Sequence, residues 1–267
     1  MILRPAAVAG RFYPAEPDRL RRVVSELIGP PDNDGRPPPK ALIVPHAGFV
    51  YSGAVAGLAF ARLARARGIV RRVVLLGTAH SPVIGLTTTG ADGFETPLGI
   101  VPVDREAIAL VSDLPQVVVD DRSHRDDHAL EVELPFLQEA LDRFAIVPLL
   151  VGRCDPKEVA EVLDRLWGGD ETLIVVSSDL SHHHPDSECR RLDRQTADAI
   201  EALEPDRLDR GSACGHRAIA GLLIACRGRG LRVRTLALRH SGDAGGPSDR
   251  VVGYGAFVID REAGPSP

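Results

Sequence analysis

Four runs of consecutive apolar residues punctuate the chain: ALIV at 41–44, VVLLG at 73–77, AIVPLLV at 145–151 and TLIVVSS at 172–178. Runs without polar alternation predict strands buried on both faces. Around them the apolar positions recur at helical spacing. PDRLRRVVSELI places Leu20, Val24 and Leu27 on one face, with Pro17 at the first helical position. AVAGLAFARLARA, DHALEVELPFLQEAL, DPKEVAEVLDRLW and SECRRLDRQTADAIEAL predict further helices. This alternation predicts an α/β fold: a central, mainly parallel or mixed sheet with helices on both faces. LRVRTLALRH and VVGYGAFVID, joined by a Gly-rich loop, are expected to pair antiparallel beside the parallel set. PPDNDGRPPP, residues 30–39, is a loop by composition. With no repeat and no linker, residues 1–267 are expected to form a single domain, with a short disordered tail from about residue 262.

Composition narrows the function classes. A chain of 267 residues with 44% hydrophobic and 26% charged residues can bury a large core. Its net charge of −5 gives no basic footprint for nucleic acid. Cys154, Cys189, Cys214 and Cys226 lack CxxC spacing, which argues against a thiolate zinc site and a disulfide framework. Without an apolar leader or a run of membrane-spanning length, a cytoplasmic protein with no membrane partner is expected.

Ligands of open α/β sheets bind at the carboxyl ends of the strands. Here ALIV runs into Pro45-His46, VVLLG into Thr78-Ala79-His80, and TLIVVSS into Asp179 and His182; LRVRTLALRH is followed by Asp243. Two imidazoles and a carboxylate on separate loops can hold one face of a divalent metal and leave the other open, as in non-haem Fe(II) oxygenases. A histidine–aspartate pair beside them can move protons near neutral pH. Each residue also has an ordinary reading: His46 as a hydrogen-bonding residue at a strand end, Ser178 or Asp179 as a turn cap.

Beyond these residues, AGRFYP, PHAGFVYSG, GTAHS, ETPLG, DDHALEVELPFL, SSDLSHH, ACGHRAI and VVGYGAF follow one another in an order that resembles the Memo family, the AmmeMemoRadiSam system protein B group. That family is related to class III extradiol dioxygenases of the LigB type. The resemblance implies a sheet flanked by helices, His46 and His80 as metal-binding histidines, and His182, with Asp179 in its motif, as acid/base. Animal members carry a cysteine as third ligand. Asp243 in SGDAGG is expected in its place, and a hard oxygen there favours Fe(II), with Cu or Zn as alternatives. The group's name further implies pathway partners that include a radical-SAM protein.

Other residues have two readings each. His128 and Glu131 share a helical face, as pocket wall or as a helix start capped by Asp126 or Asp127. His183 and His184 are expected in a solvated loop. Tyr51 and Phe49 line a pocket or the core. Cys214 is a pocket thiol or a small buried residue opening a helix. Three functions remain open: an Fe(II)-dependent dioxygenase or oxidoreductase on a small molecule, aromatic ones included; a metal- or peptide-binding module that keeps the pocket without turnover; and a Zn-dependent hydrolase.

Overall fold

A computed structural model describes residues 1–30 and 35–261. Residues 31–34 of the predicted loop and the tail from residue 262 lie outside the described residues. In chain order the strands are β1 (Leu3–Arg4), β2 (Ala41–Val44), β3 (Arg72–Thr78), β4 (Leu86–Thr88), β5 (Gly93–Thr96), β6 (Gly99–Pro102), β7 (Val117–Val119), β8 (Ala145–Val151), β9 (Thr172–Ser177), β10 (His182–His184), β11 (Leu231–His240) and β12 (Val251–Arg261). The α-helices are α1 (Pro17–Ile28), α2 (Phe49–Phe60), α3 (Arg105–Ala109), α4 (Asp121–Arg125), α5 (Leu134–Ala140), α6 (Pro156–Leu166), α7 (Asp186–Glu201) and α8 (His216–Cys226).

The four apolar runs become β2, β3, β8 and β9, which pair in parallel in the order β2-β9-β3-β8. Continuous burial along β2 and β9 explains the missing alternation, since both sheet faces are covered. β12 joins β2 antiparallel, and β11 joins β12 antiparallel, as the paired tail segments predict. Two antiparallel steps make β11 parallel to β2, so its carboxyl end points to the same rim. β12 nevertheless separates it from the parallel set.

Several elements differ from expectation. The predicted helix over DHALEVELPFLQEAL is a turn, a short 3₁₀ helix at Glu131–Glu133 and then α5, so His128 precedes the helix. The helix expected at residues 54–66 starts earlier, at Phe49, and ends as 3₁₀ helix at Ala61–Arg65. His182–His184 form β10 against β12 rather than a loop. A small sheet, β1-β5-β6, is built from strands too short to show periodicity.

Two close approaches position the site. A Cβ on Gly57 of α2 would stand 2.0 Å from the carbonyl oxygen of Leu27, so α1 and α2 touch backbone to backbone there. On β3, a Cβ on Gly77 would stand 2.9 Å from both Ala129 and Leu130. The segment carrying His128 therefore crosses directly over the end of β3, which carries His80.

Candidate metal centre

His46 follows β2, His80 follows β3, and His128 leans in from the turn over β3. Each offers one ring nitrogen, and these nitrogens all lie within 4.8 Å of one another. The ring centroids are 5.4 Å apart for His46–His80, 5.3 Å for His46–His128 and 4.3 Å for His80–His128. His46 is buried, whereas the His80 side chain is 40% exposed, so the cluster opens to solvent on the His80 side.

The outward nitrogens of two of these rings are already engaged. His46 Nδ1 lies 2.8 Å from Ser177 Oγ. His80 Nδ1 lies 3.2 Å from Asp127 Oδ2, and the same carboxylate accepts the His80 backbone N–H at 2.8 Å. A histidine tied at Nδ1 by an acceptor presents a bare Nε2, the arrangement found behind metal-bound imidazoles. Burial would raise the Asp127 carboxyl, but the hydrogen bonds from the His80 ring and backbone outweigh it and hold Asp127 below its usual value. Burial, then the neighbouring His80, lowers His46 to about 3. Burial, then His46 and His80, lowers His128 to about 4. Both rings are therefore neutral near pH 7, with lone pairs available for a cation. The donor set fits a divalent ion.

Asp179 and His182 sit beside the cluster. The Asp179 carboxylate accepts the His46 backbone N–H at 2.9 Å. Burial raises it to about 6, against the hydrogen bond from the His46 backbone and the charge of His182. His182 Nδ1 lies 2.7 Å from the Leu180 carbonyl oxygen; a carbonyl only accepts, so this nitrogen carries the proton and Nε2 faces away from that bond. Cys214 Sγ lies 3.5 Å from His46 Nε2, with the thiol raised to about 12 by burial and by Asp179. Tyr51 is half exposed on the first turn of α2, while Phe49 is in the core against Phe136 at 4.7 Å.

Asp243 is not brought to the cluster. Its carboxylate accepts from Arg190 Nη2 at 2.7 Å and from the His240 backbone N–H at 3.1 Å. The cause is topological: β11 ends at the expected rim, but β12 stands between it and β2. The third convergent donor is the His128 imidazole, and a sulfur, Cys214, lies against His46.

Three further residues shape the site: Asp127 and Glu131, which the sequence offered as a helix cap and as a neighbour of His128 on one face, and Ser177, which it did not offer. Asp127 and Ser177 hold the two rings. Glu131 is fully buried and accepts from Arg4, from the Ala7 and Val8 backbone N–H groups at 2.8 and 3.0 Å, and from Tyr13 Oη at 2.5 Å. This pins the AGRFYP segment and sets the Phe12 ring 4.7 Å from His128. Glu131 was legible only through its spacing from His128; the wall it builds comes from a segment more than a hundred residues away.

The Memo family model, described as Memo-like protein, matches residues 4–258. A MEMO1 family protein of Archaeoglobus fulgidus is 34% identical over 96% of this chain and 99% of its own length. One of Methanosarcina barkeri is 35% identical, covering 97% and 100%, and one of Aquifex aeolicus is 33% identical, covering 97% and 100%. The chain belongs to the Memo family. Among solved structures, the uncharacterized protein JW3007 from Escherichia coli K12 superposes with a TM-score of 0.56 at 14% identity, over 82% of this chain and 98% of that one, which is a likeness of fold. Among the described residues, no helix is long and apolar enough to cross a membrane.

Proposed function

We propose that this Memo-family chain is a mononuclear metalloprotein. His46, His80 and His128 hold a divalent ion, and a small substrate, taken up from the exposed His80 side, undergoes Fe(II)-dependent oxidation by O₂. The observation that carries this reading is the convergence of three imidazole nitrogens within 4.8 Å, two of them backed by polar groups that leave Nε2 free. When bound, such an ion supplies Lewis-acid chemistry and, if it is iron or copper, redox chemistry. The protein supplies the rest. His182 presents Nε2 as a proton acceptor or donor, and Asp179, the neighbouring carboxyl raised to about 6, sets the local charge. Phe12 beside His128 offers a flat apolar wall for an aromatic ring.

The donor set supports a second reading as well. Three imidazoles suit zinc as well as iron or copper, and zinc hydration sites use this set. The expectation of iron from a carboxylate ligand falls away with Asp243, and Cys214 adds a soft atom nearby. Anaerobic metal analysis of untagged protein, followed by O₂ uptake with catechol-like substrates, separates the two. Stoichiometric iron with substrate-dependent O₂ uptake is expected. Tightly held zinc with ester hydrolysis and no O₂ uptake would replace the oxidative reading by the hydrolytic one.

A further inference from the structure

Behind His46 lies a buried acid that the site as described does not use. Glu133, at the end of the 3₁₀ turn Glu131–Glu133, is 0% exposed. Its Oε1 lies 2.9 Å from Ser177 Oγ, and its Oε2 is buried with no hydrogen-bond partner among the described residues. Ser177 Oγ has two other neighbours: the Ala129 carbonyl oxygen at 2.6 Å and His46 Nδ1 at 2.8 Å.

The protons around this hydroxyl can be counted. A serine owns one proton and two lone pairs. The Ala129 carbonyl can only accept, and it makes the shortest of the three contacts, so Ser177 donates there. The other two neighbours must then donate to Ser177 Oγ: His46 from Nδ1–H, and Glu133 from a carboxylic acid O–H. We infer that Glu133 is a positioning residue held as a neutral acid, which through Ser177 fixes His46 in the Nδ1–H tautomer and keeps Nε2 bare toward the cluster.

The opposite assignment fails on the same geometry. An ionised Glu133 would draw the Ser177 proton to itself, leaving two oxygens, Ala129 O and Ser177 Oγ, facing each other at 2.6 Å without a proton. It would also bury a charge whose second oxygen has no donor among the described residues, a strongly unfavourable state. Burial pushes the Glu133 carboxyl well above its usual value; the Ser177 contact opposes this and the charge of Asp179 reinforces it.

The purpose of the tautomer rests on the metal-site reading, but the proton assignment does not, so the two can fail separately. The test uses metal-free protein at pH 7. The infrared difference between wild type and Glu133→Gln should show the C=O stretch of a protonated acid, shifting in D₂O and lost in the variant. Nitrogen-15 NMR should show His46 protonated at Nδ1 in both, because a Gln amide can still donate to Ser177. Zn²⁺ affinity of Glu133→Gln should stay within about threefold of wild type. Glu133→Leu, which removes the donor, should mix the His46 tautomers and weaken Zn²⁺ by about 10–100-fold, the usual range for an outer-shell partner. A carboxylate band lost in place of the acid band, or wild-type His46 protonated at Nε2, would overturn the inference even if the Leu variant does not fold. Wild type with the acid band and the Nδ1–H tautomer but no Zn²⁺ binding would support the inference and remove the metal reading instead.

Discussion

At the residue scale, the histidines divide by how their positions arise. His46 and His80 were visible in the sequence because each terminates a fully apolar run, and parallel strands deliver their carboxyl ends to one rim. His128 follows no strand. It reaches the cluster because Gly77 lets the 129–130 segment lie on β3, a contact that no local pattern announces. Asp243 shows the converse. It follows a strand of the right direction, yet it ends on Arg190. His182 lies beside the three-histidine cluster without being one of its members, with Nδ1 committed to Leu180. His182→Ala should therefore leave Zn²⁺ affinity within about threefold while cutting turnover by roughly 10²–10⁴, the range of a general acid/base contribution. Loss of metal in that variant would make His182 a ligand.

Among the elements, the long regular ones were legible and the short ones were not. α1, β8 and β11 fall where periodicity and apolar runs predict them, whereas β1, β5 and β6 are stabilised by pairing across distant sequence and carry too few residues to show a period. DHALEVELPFLQEAL reads as one helix because its apolar spacing is helical, but Asp127 is drawn to the backbone of His80 and Ala129, and the chain turns before α5 begins. Contact between α1 and α2 gives a test at this scale. Gly57→Ala forces a methyl against the Leu27 backbone and should lower stability in urea by about 1–3 kcal/mol or more. Gly53→Ala meets side-chain atoms rather than backbone, the flexible Leu27 Cδ1 at 2.8 Å and Phe49 Cβ at 3.3 Å, and should cost less. Equal midpoints for the two variants would mean that the helices do not approach at Gly57 as described.

The molecule as a whole holds neutral imidazoles and a raised carboxyl in one buried rim, and this sets how stability responds to pH. His46 and His128, lowered from 6.5 to about 3 and about 4, stay neutral when folded but take up protons when unfolded, so their contribution is lost as pH falls below 6.5. Asp179, raised from 3.8 to about 6, acts oppositely: the folded state holds its proton through that window, and stability rises with acidification. Glu133, held neutral well above its usual value, acts in the same sense as Asp179, so near pH 5 the two histidines and the two acids roughly offset one another. Removing one acid should unmask the histidines: Asp179→Asn should lose about 1 kcal/mol more than wild type per pH unit of acidification. The readout is the urea midpoint between pH 6 and 4.5, and an Asp179→Asn profile no steeper than wild type would mean that Asp179 is not held protonated in the folded state. Three histidines, and not Asp243, form the metal centre proposed for this chain, and Zn²⁺ affinity in an anaerobic competition titration of wild type, His128→Ala and Asp243→Ala separates the two ligand sets. His128→Ala should lose more than the about 10–100-fold typical of outer-shell changes, and Asp243→Ala should remain within about threefold of wild type. Intact binding in His128→Ala together with lost binding in Asp243→Ala would contradict the account.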